Sequence, residues 1–359
     1  MKAVILCAGV GTRLEPLTFA RPKHLLPVAG RAVLDHVLDS LADAGVDQGV
    51  FVVGRQADHL REFIGDGSRW EMTAEYVVQD EPRGLADAVR CARAAVEGER
   101  FIVYLGDDLL GEGISDFVAS FQASQGQAAL VVKRVEDPRQ FGVVVVEDGR
   151  VVKLVEKPRE PPSDLAIVGV YAFRPEIFEA IESIQPSDRG ELEITDAIDC
   201  LLAHGGQVDH HETEGFWEDV GSPESLLSAN AFYLSRIEPR VDGEVDGASR
   251  VEGLVQIGAG ARVTGSRVTG PCLIGADCVV ADSELGPDVS LADDCEVMGS
   301  RIVNSILDEG CQVQGVQGGL LRSLLGRGVR VQGVQAVEPT AHLSVVAADN
   351  TMIAEADHA

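Results

Sequence analysis

Apolar and polar positions follow two different rhythms along this chain, and the change falls close to Pro239. Before it, short runs of apolar residues, KAVILC, GVFVVG, AEYVVQ, FIVYLG and AALVVKRV, alternate with stretches of helical period such as AVLDHVLDSLADAG and GLADAVRCARAAV. Strands that alternate with amphipathic helices predict an α/β domain: a Rossmann-like sheet, mostly parallel, with helices on both faces. Ligands of such sheets bind at the carboxyl ends of the strands, so the loops after KAVILC, AEYVVQ and FIVYLG are expected to share one crevice.

Beyond Pro239 the helical period stops. Small apolar residues recur every six positions at Val245, Val251, Ile257 and Val263, then at Val268, Ile274 and Val280. After a one-residue slip the rhythm resumes at Leu285, Leu291, Val297 and Val303, and again at Leu307 and Val313 and at Leu325 and Val331. Gly and Asp fill the intervals, as in IGAGAR, IGADCV and LGPDVS. A six-residue period supplies one face of a triangular coil per repeat, which predicts a left-handed parallel β-helix; an antiparallel barrel would show period two over longer strands. Cys272, Cys278, Cys295 and Cys311 lie within the repeats and suit tight corners. The expected organisation is an α/β domain over 1–236, the coil over 237–338, and a tail over 339–359 that caps the coil or packs on a neighbour.

Composition narrows the partners. A chain of 359 residues exceeds one ordinary core, and 30 Lys and Arg against 58 Asp and Glu leave a net charge of −28. The acidic excess is spread along the chain, so it repels nucleic acid and anionic membrane and makes any basic cluster a local feature. No apolar run approaches ~18 residues and the first residues form a strand, which together predict a cytoplasmic protein. Seven cysteines, an odd number with no Cys-x-x-Cys pair, fit buried thiols better than disulfides or a zinc site.

Against this acidic background the turn Gly9-Val10-Gly11-Thr12-Arg13, followed by Lys23, stands out. An apolar strand ending in a glycine turn gathers backbone N–H groups, and two cations are close by in sequence; a nucleoside triphosphate is the ligand this suits. The turn lacks the Lys-Ser/Thr of a P-loop, and Leu14 stands where a dinucleotide fingerprint needs its third glycine. Strand FIVYLG delivers Gly106-Asp107-Asp108 to the same edge, where Asp107 suits a hard divalent cation that also takes phosphate oxygens. Gln79 ends strand AEYVV, and its amide offers the donor and acceptor that match N3–H and O4 of thymine or uracil; guanine presents a similar pair. Glu156 can accept two vicinal sugar hydroxyls, and the adjacent Lys157 can hold a phosphate.

Taken as whole strings, Gly9-x-Gly11-Thr12-Arg13-Leu14-x-Pro16 and Pro22-Lys23-x-Leu25-x-Pro27 resemble the signature of the sugar-phosphate nucleotidylyltransferases. With the coil that follows, the chain is most similar to the long-form glucose-1-phosphate thymidylyltransferases. The resemblance implies a nucleotidylyltransferase domain over 1–236 and a Mg²⁺ cofactor held by Asp107 and Asp219, the latter in Trp217-Glu218-Asp219-Val220-Gly221. It gives Ala8, Gly9, Gly11, Thr12, Arg13, Lys23, Gln79, Gly84 and Asp107 to the nucleotide. Gly142, Glu156, Lys157 and Ile167 fall to the sugar phosphate, with Arg13, Lys23 and Lys157 as the catalytic cations. Arg189-Gly190-Glu191-Leu192-Glu193-Ile194-Thr195-Asp196 is similar to a family segment and is read as support near the pocket.

The reaction so implied joins an NTP, dTTP first, to a sugar 1-phosphate, glucose 1-phosphate first, and releases pyrophosphate. Several positions depart from the family pattern: Cys7, Ala8, His24, Asp108 and Val220. They leave open UTP or GTP as donor and a cyclitol or other hexose phosphate as acceptor, in a secondary-metabolite (antibiotic) pathway. A non-catalytic nucleotide-sugar sensor is a further alternative, against which the complete set of charged residues argues. A second, acetyl-transferring site in the coil is disfavoured, because residues 241–336 contain no histidine. Self-association through the coil, giving a homo-oligomer, is expected instead.

Overall fold

A computed structural model of the chain describes residues 1–54, 57–334 and 342–354. They fall into two compact units: Met1–Gly9 with Leu34–Asp219, and Val10–Val33 with Val220–Ala359.

In the first unit the predicted apolar runs are all strands. β1 (Lys2–Cys7), α1 (Val33–Asp43, its first residue in the other unit), β2 (Gln48–Val53), α2 (Asp58–Ile64), β3 (Thr73–Val78), α3 (Leu85–Cys91) and β4 (Phe101–Leu105) alternate as expected. There follow β5 (Asp108–Leu110), α4 (Ser115–Ala123), β6 (Ala128–Arg134), β7 (Gly142–Glu147), β8 (Arg150–Glu156) and β9 (Leu165–Phe173). The unit closes with α5 (Ile177–Ser183), α6 (Ile194–Ala203), β10 (Val208–Glu212) and β11 (Trp217–Asp219).

The main sheet runs β8-β7-β9-β4-β1-β2-β3, with β6 on β9 and β10 on β6. The half β4-β1-β2-β3 is parallel, whereas β9 is antiparallel to β4, to β6 and to β7. The sheet is therefore mixed, and strand order reverses between β1 and β4, where doubly wound sheets place their ligands. Leu6 pairs with Val52 and with Leu105, and Val52 with Val77, so β1, β2, β3 and β4 end on one edge. Ala3, Val4, Ile5, Phe51, Val52, Ile102 and Val103 are fully buried, because helices cover both faces of this half.

The second unit is built on a parallel β-helix. Its described strands form three sheets of seven, seven and five strands, every neighbouring pair parallel, consistent with the left-handed coil that the six-residue period predicts. Val263, Val280, Val297, Val313 and Val331 stack in register down one face. Val245 and Val303 are exceptions to the expected core: Val245 is exposed, and Ile302 points inward in place of Val303, a further one-residue slip in the rhythm. Strands Val346–Ala347 and Met352–Ala354 extend two of the sheets, so the rhythm lost at Pro339 is regained in space. Residues 339–341 and 355–359 of the expected tail lie outside the described residues.

Polar ladders line the corners. The Oγ of Ser266, Ser283 and Ser300 each accepts the backbone N–H one coil on, from Ser283 (3.0 Å), Ser300 (3.2 Å) and Val316 (3.1 Å). Cys278, Cys295 and Cys311 form a parallel ladder of thiols that donate to the carbonyls of Ala292, Asp308 and Gly326 at 3.1, 3.2 and 3.1 Å. Burial pushes Cys272 up to about 12, and contact with Cys295 together with burial raises Cys278, so both stay protonated. The coil's apolar residues turn inward, and its outside carries pairs such as Arg262–Glu244 and Arg301–Glu284.

The compact units do not follow the expected linear boundaries. Val10–Val33 and the helix α7 (Pro223–Leu234) group with the coil, since Asn230, fully buried on α7, accepts the Ala29 N–H at 2.9 Å and the Ser290 hydroxyl at 2.9 Å.

Candidate active site

The first unit holds a cleft of about 220 Å³ that gathers all four residues assigned to the sugar phosphate, Gly142, Glu156, Lys157 and Ile167. Gly142 opens β7 and Glu156 closes β8, and the antiparallel register sets them opposite each other. A Cβ at Gly142 would lie 2.8 Å from Thr195 Cγ2 and 3.0 Å from Ile167 Cδ1, so only glycine leaves the floor open here. Lys157 follows at φ 39°, a left-handed turn tied down by its N–H on Phe141 O at 3.0 Å. The turn places the Lys157 ammonium in the cleft, 3.8 Å from Glu156 Oε1.

Glu156 is held from three sides. Thr195 Oγ1 donates to its Oε2 at 3.2 Å, and Arg189 Nη2 donates to its Oε1 at 3.3 Å. Burial raises its pKa above the ordinary glutamate value, opposed by Lys157 and reinforced by the nearby Glu193. Glu193 itself takes both of its oxygens to Arg189 Nη2, at 2.8 and 2.9 Å, and accepts from Ser187 Oγ at 2.7 Å. The Arg189–Asp196 segment, read from sequence as support, thus forms one wall: Arg189, Glu191, Glu193 and Ile194 all line the cleft.

Asp108 is the residue whose role the sequence reading missed. It is buried, receives the Trp217 indole N–H at 2.9 Å, and fills the space where a Cβ at Gly169 would otherwise sit. Trp217 donates to Asp108, and its ring lies 4.8 Å from that of Phe141. The signal that could have found this pair is the departure at 108, an ionisable residue beside the metal motif. The same strand pair, β5 with β11, sets Asp219 across from Asp108 and so one residue away from Asp107.

Gln79 is buried at the end of β3, and its Nε2 donates to Asp87 Oδ2 at 2.9 Å and to Gly84 O at 3.3 Å. Asp87 in turn pairs with Arg90. Gly84 has φ 105°, and a Cβ there would lie 2.5 Å from Leu192 O, so the base-side loop is sewn to the Arg189–Asp196 segment. Ala86 N–H to Leu192 O (3.0 Å) and Leu192 N–H to Arg83 O (2.8 Å) complete that seam.

Ala8 and Gly9 end the first unit's opening segment directly after β1, whereas Gly11, Thr12, Arg13 and Lys23 belong to the second unit. Gly11 takes φ +72°, and a Cβ there would lie 3.2 Å from both Lys23 Cβ and Thr18 Cγ2, so the glycine turn folds down onto the lysine. Thr18 Oγ1 secures it by donating to Gly11 O at 3.1 Å. The structure brings Gly11 and Lys23 together, and separately Gly142, Glu156, Lys157, Ile167 and Asp219.

The chain belongs to the nucleotidyl transferase family, whose profile matches residues 2–236. It is similar to the glucose-1-phosphate thymidylyltransferase of Streptomyces antibioticus, 42% identical over 319 residues that span 88% of this chain and 90% of that protein. It is also 42% identical over 263 residues to the low-salt glycan biosynthesis nucleotidyltransferase Agl11 of Haloferax volcanii, 73% of this chain and 74% of that one. A solved UDP-glucose pyrophosphorylase with UDP-glucose overlays 66% of this chain and 99% of its own, with TM-score 0.60 at 27% identity. No described helix is long and apolar enough to cross a membrane.

Proposed function

We propose that this protein transfers a nucleotidyl group from dTTP to glucose 1-phosphate, giving a nucleoside-diphosphate sugar and pyrophosphate. The observation that carries the reading is the cleft in which Lys157 and Glu156 stand side by side beneath Gly142. Its volume of about 220 Å³ suits one sugar ring. A phosphate oxygen of the acceptor, ionised at neutral pH, attacks the α-phosphorus in line, and the bond to the bridging oxygen of pyrophosphate breaks. No general base is required, so positioning and charge neutralisation supply the catalysis.

Each residue then has a task. Lys157 aligns the attacking phosphate and Glu156 accepts hydroxyls of the sugar. Arg13 and Lys23, with the backbone of Ala8, Gly9, Gly11 and Thr12, hold the triphosphate and the departing pyrophosphate. Among the described residues no group of three or more His, Cys, Asp or Glu is arranged to hold a metal. Asp107 and Asp219 fit Mg²⁺ in the way that ion is usually held, by one or two carboxylates plus substrate oxygens. When bound it would neutralise charge on the reacting phosphates. Asp108, engaged by Trp217, orients the ladder that carries Asp219.

The base is read by Gln79. With Nε2 committed to Asp87 and Gly84, the carbonyl end is what the side chain offers, and it accepts the N3–H of a thymine or uracil. UTP is accordingly the second reading for the donor, in keeping with the structural similarity to a UDP-glucose pyrophosphorylase. Crossing the four NTPs and dTTP with a panel of hexose and cyclitol 1-phosphates, with Mg²⁺, tests the assignment. Product from dTTP and glucose 1-phosphate well above the other pairs is expected; a purine nucleotide preferred over both pyrimidines overturns the base, and no turnover with any pair overturns the enzyme.

A further inference from the structure

The segment Val10–Val33 is fastened to the coil by an ion triad in which Arg21 and Asp308 are buried and Asp349 is partly exposed. Arg21 Nη2 donates to Asp349 Oδ1 and Oδ2 at 2.8 and 3.0 Å, and Arg21 Nη1 stands 2.5 Å from Asp308 Oδ2. Arg21 and Asp308 are 9% and 5% exposed, so the charges meet with little water between them. Both carboxylates are anchored to the coil's own backbone: Asp349 Oδ1 accepts the Arg327 N–H at 2.9 Å, and Asp308 Oδ1 accepts the Glu309 N–H at 2.7 Å. Leu17, Leu26 and Pro27 close over the triad with Leu226, Ile306 and Leu324, leaving only about 10 Å³, too little for a ligand.

Two more attachments lie further along the segment. Ala29 N–H bonds to Asn230, which in turn bonds to the coil through Ser290 Oγ and Asp288 O. A Cβ at Gly30, at φ +78°, would lie 3.1 Å from Leu273 Cδ2 of the coil. A buried ion pair is a poor source of net stability, because desolvation offsets most of the attraction, but it fixes register strictly. Here the register concerns a particular place: Arg21 is two residues before Lys23, and Lys23 carries the Gly11 turn upon it.

We infer that Asp308 and Asp349 of the coil are positioning residues for nucleotide binding, acting through Arg21 on Lys23 and the Gly9–Arg13 turn. The coil is then a working part of the triphosphate site as well as a structural appendage. This rests on the proposed assignment of Arg13 and Lys23 to the triphosphate.

The test uses full-length protein and four variants, Asp349→Asn, Asp308→Asn, and the charge-retaining Asp349→Glu and Arg21→Lys. Each is measured for thermal melting, for equilibrium binding of dTTP and UTP by calorimetry, and for the KM of both substrates. The expected result is a loss of at least 10-fold in NTP binding and in kcat/KM for NTP, with the sugar 1-phosphate KM within twofold of wild type and partial recovery in Asp349→Glu. A purely structural role would lower the melting temperature and the active fraction while leaving the KM values alone. The inference is overturned if the folded variants bind NTP as wild type does, or if both substrates are weakened equally. Should Asp349→Asn fail to fold, Arg21→Lys is read by the same criteria. Wild-type protein that binds NTP but makes no product overturns the proposed reaction and leaves this inference readable by calorimetry; wild-type protein that binds no NTP overturns both.

Discussion

The Glu156–Lys157 cleft and the interior of the coil both take polar groups out of water, and they do so to opposite ends. In the coil, Ser266, Ser283 and Ser300 and the Cys278, Cys295 and Cys311 thiols meet donors and acceptors of the next turn, each rung completed by its neighbour. In the cleft, Glu156 is half-buried among one hydroxyl, one guanidinium, one ammonium and another carboxylate, and that burial raises its pKa. A buried polar group therefore marks function where the fold leaves it electrostatically unsettled, and architecture where the fold exhausts its bonding capacity.

The largest expected effect is at the carboxylate pair. Asp219→Asn or Asp107→Asn is expected to lower turnover by a factor on the order of 10² or more, since metal charge stabilisation supplies several kcal/mol. A titration of Mg²⁺ in each variant would show the same kcat reached only at far higher metal concentration; unchanged turnover and metal dependence in either variant would remove that residue from the site.

Next comes Lys157→Ala, which deletes a charge-assisted contact of roughly 1.5 to 3 kcal/mol. The sugar 1-phosphate KM should rise about 10- to 150-fold while the NTP KM stays within a few-fold. Equal damage to both substrates would dissolve the division of labour between Lys157 and the Arg13–Lys23 pair.

Glu156 ties the comparison to pH. Its folded pKa is raised, so its contribution to stability is present below the ordinary glutamate pKa and lost as pH rises through the raised value. Glu156→Gln should therefore gain stability over wild type as pH approaches neutrality, measured as the difference in melting temperature across pH 4 to 7. It should bind sugar 1-phosphate more weakly over the same range, and its affinity should lose the acid limb that protonation of Glu156 produces in wild type. A melting difference that does not change with pH would show that the carboxylate is settled after all.

The smallest effect belongs to the coil. Ser283→Ala leaves the Ser300 N–H without its acceptor inside the stack, a cost of about 1 to 3 kcal/mol. Denaturant unfolding should register it, while kcat and both KM values remain at wild type, because Ser283 lies outside the segment that Arg21 holds. A change in either KM would mean that the ladder is coupled to the site and that the contrast drawn above is too sharp.

Much of this was legible before any coordinates. Runs such as KAVILC and FIVYLG name their strands because burial on both faces demands continuous apolar residues, and the six-residue beat names the coil because one inward residue per face is all a triangular turn requires. Gly142, Glu156, Lys157 and Ile167 were legible as a set through motif resemblance, and they do converge. Asp108 was seen only as a departure: nothing near it in sequence announces the Trp217 indole, which is 109 residues away. Likewise the Arg189–Glu193 wall reads locally as a turn and a helix start, and becomes part of the site only when α6 packs beside β8.

What the sequence by itself determined, then, is whatever repeats or is read within a few residues: strand and helix periods, the beat of the coil, the glycine turn, and the chemistry that Arg13, Lys23, Asp107 and Lys157 are able to perform. What only the tertiary structure decided is which distant groups complete them. Arg21 and Asp349 are 328 residues apart, and no local pattern relates them. Their meeting depends on the number of coils between, each adding a fixed step, so a buried charge near the start of the chain completes its set of counterions, Asp308 and Asp349, only at the far end of the coil.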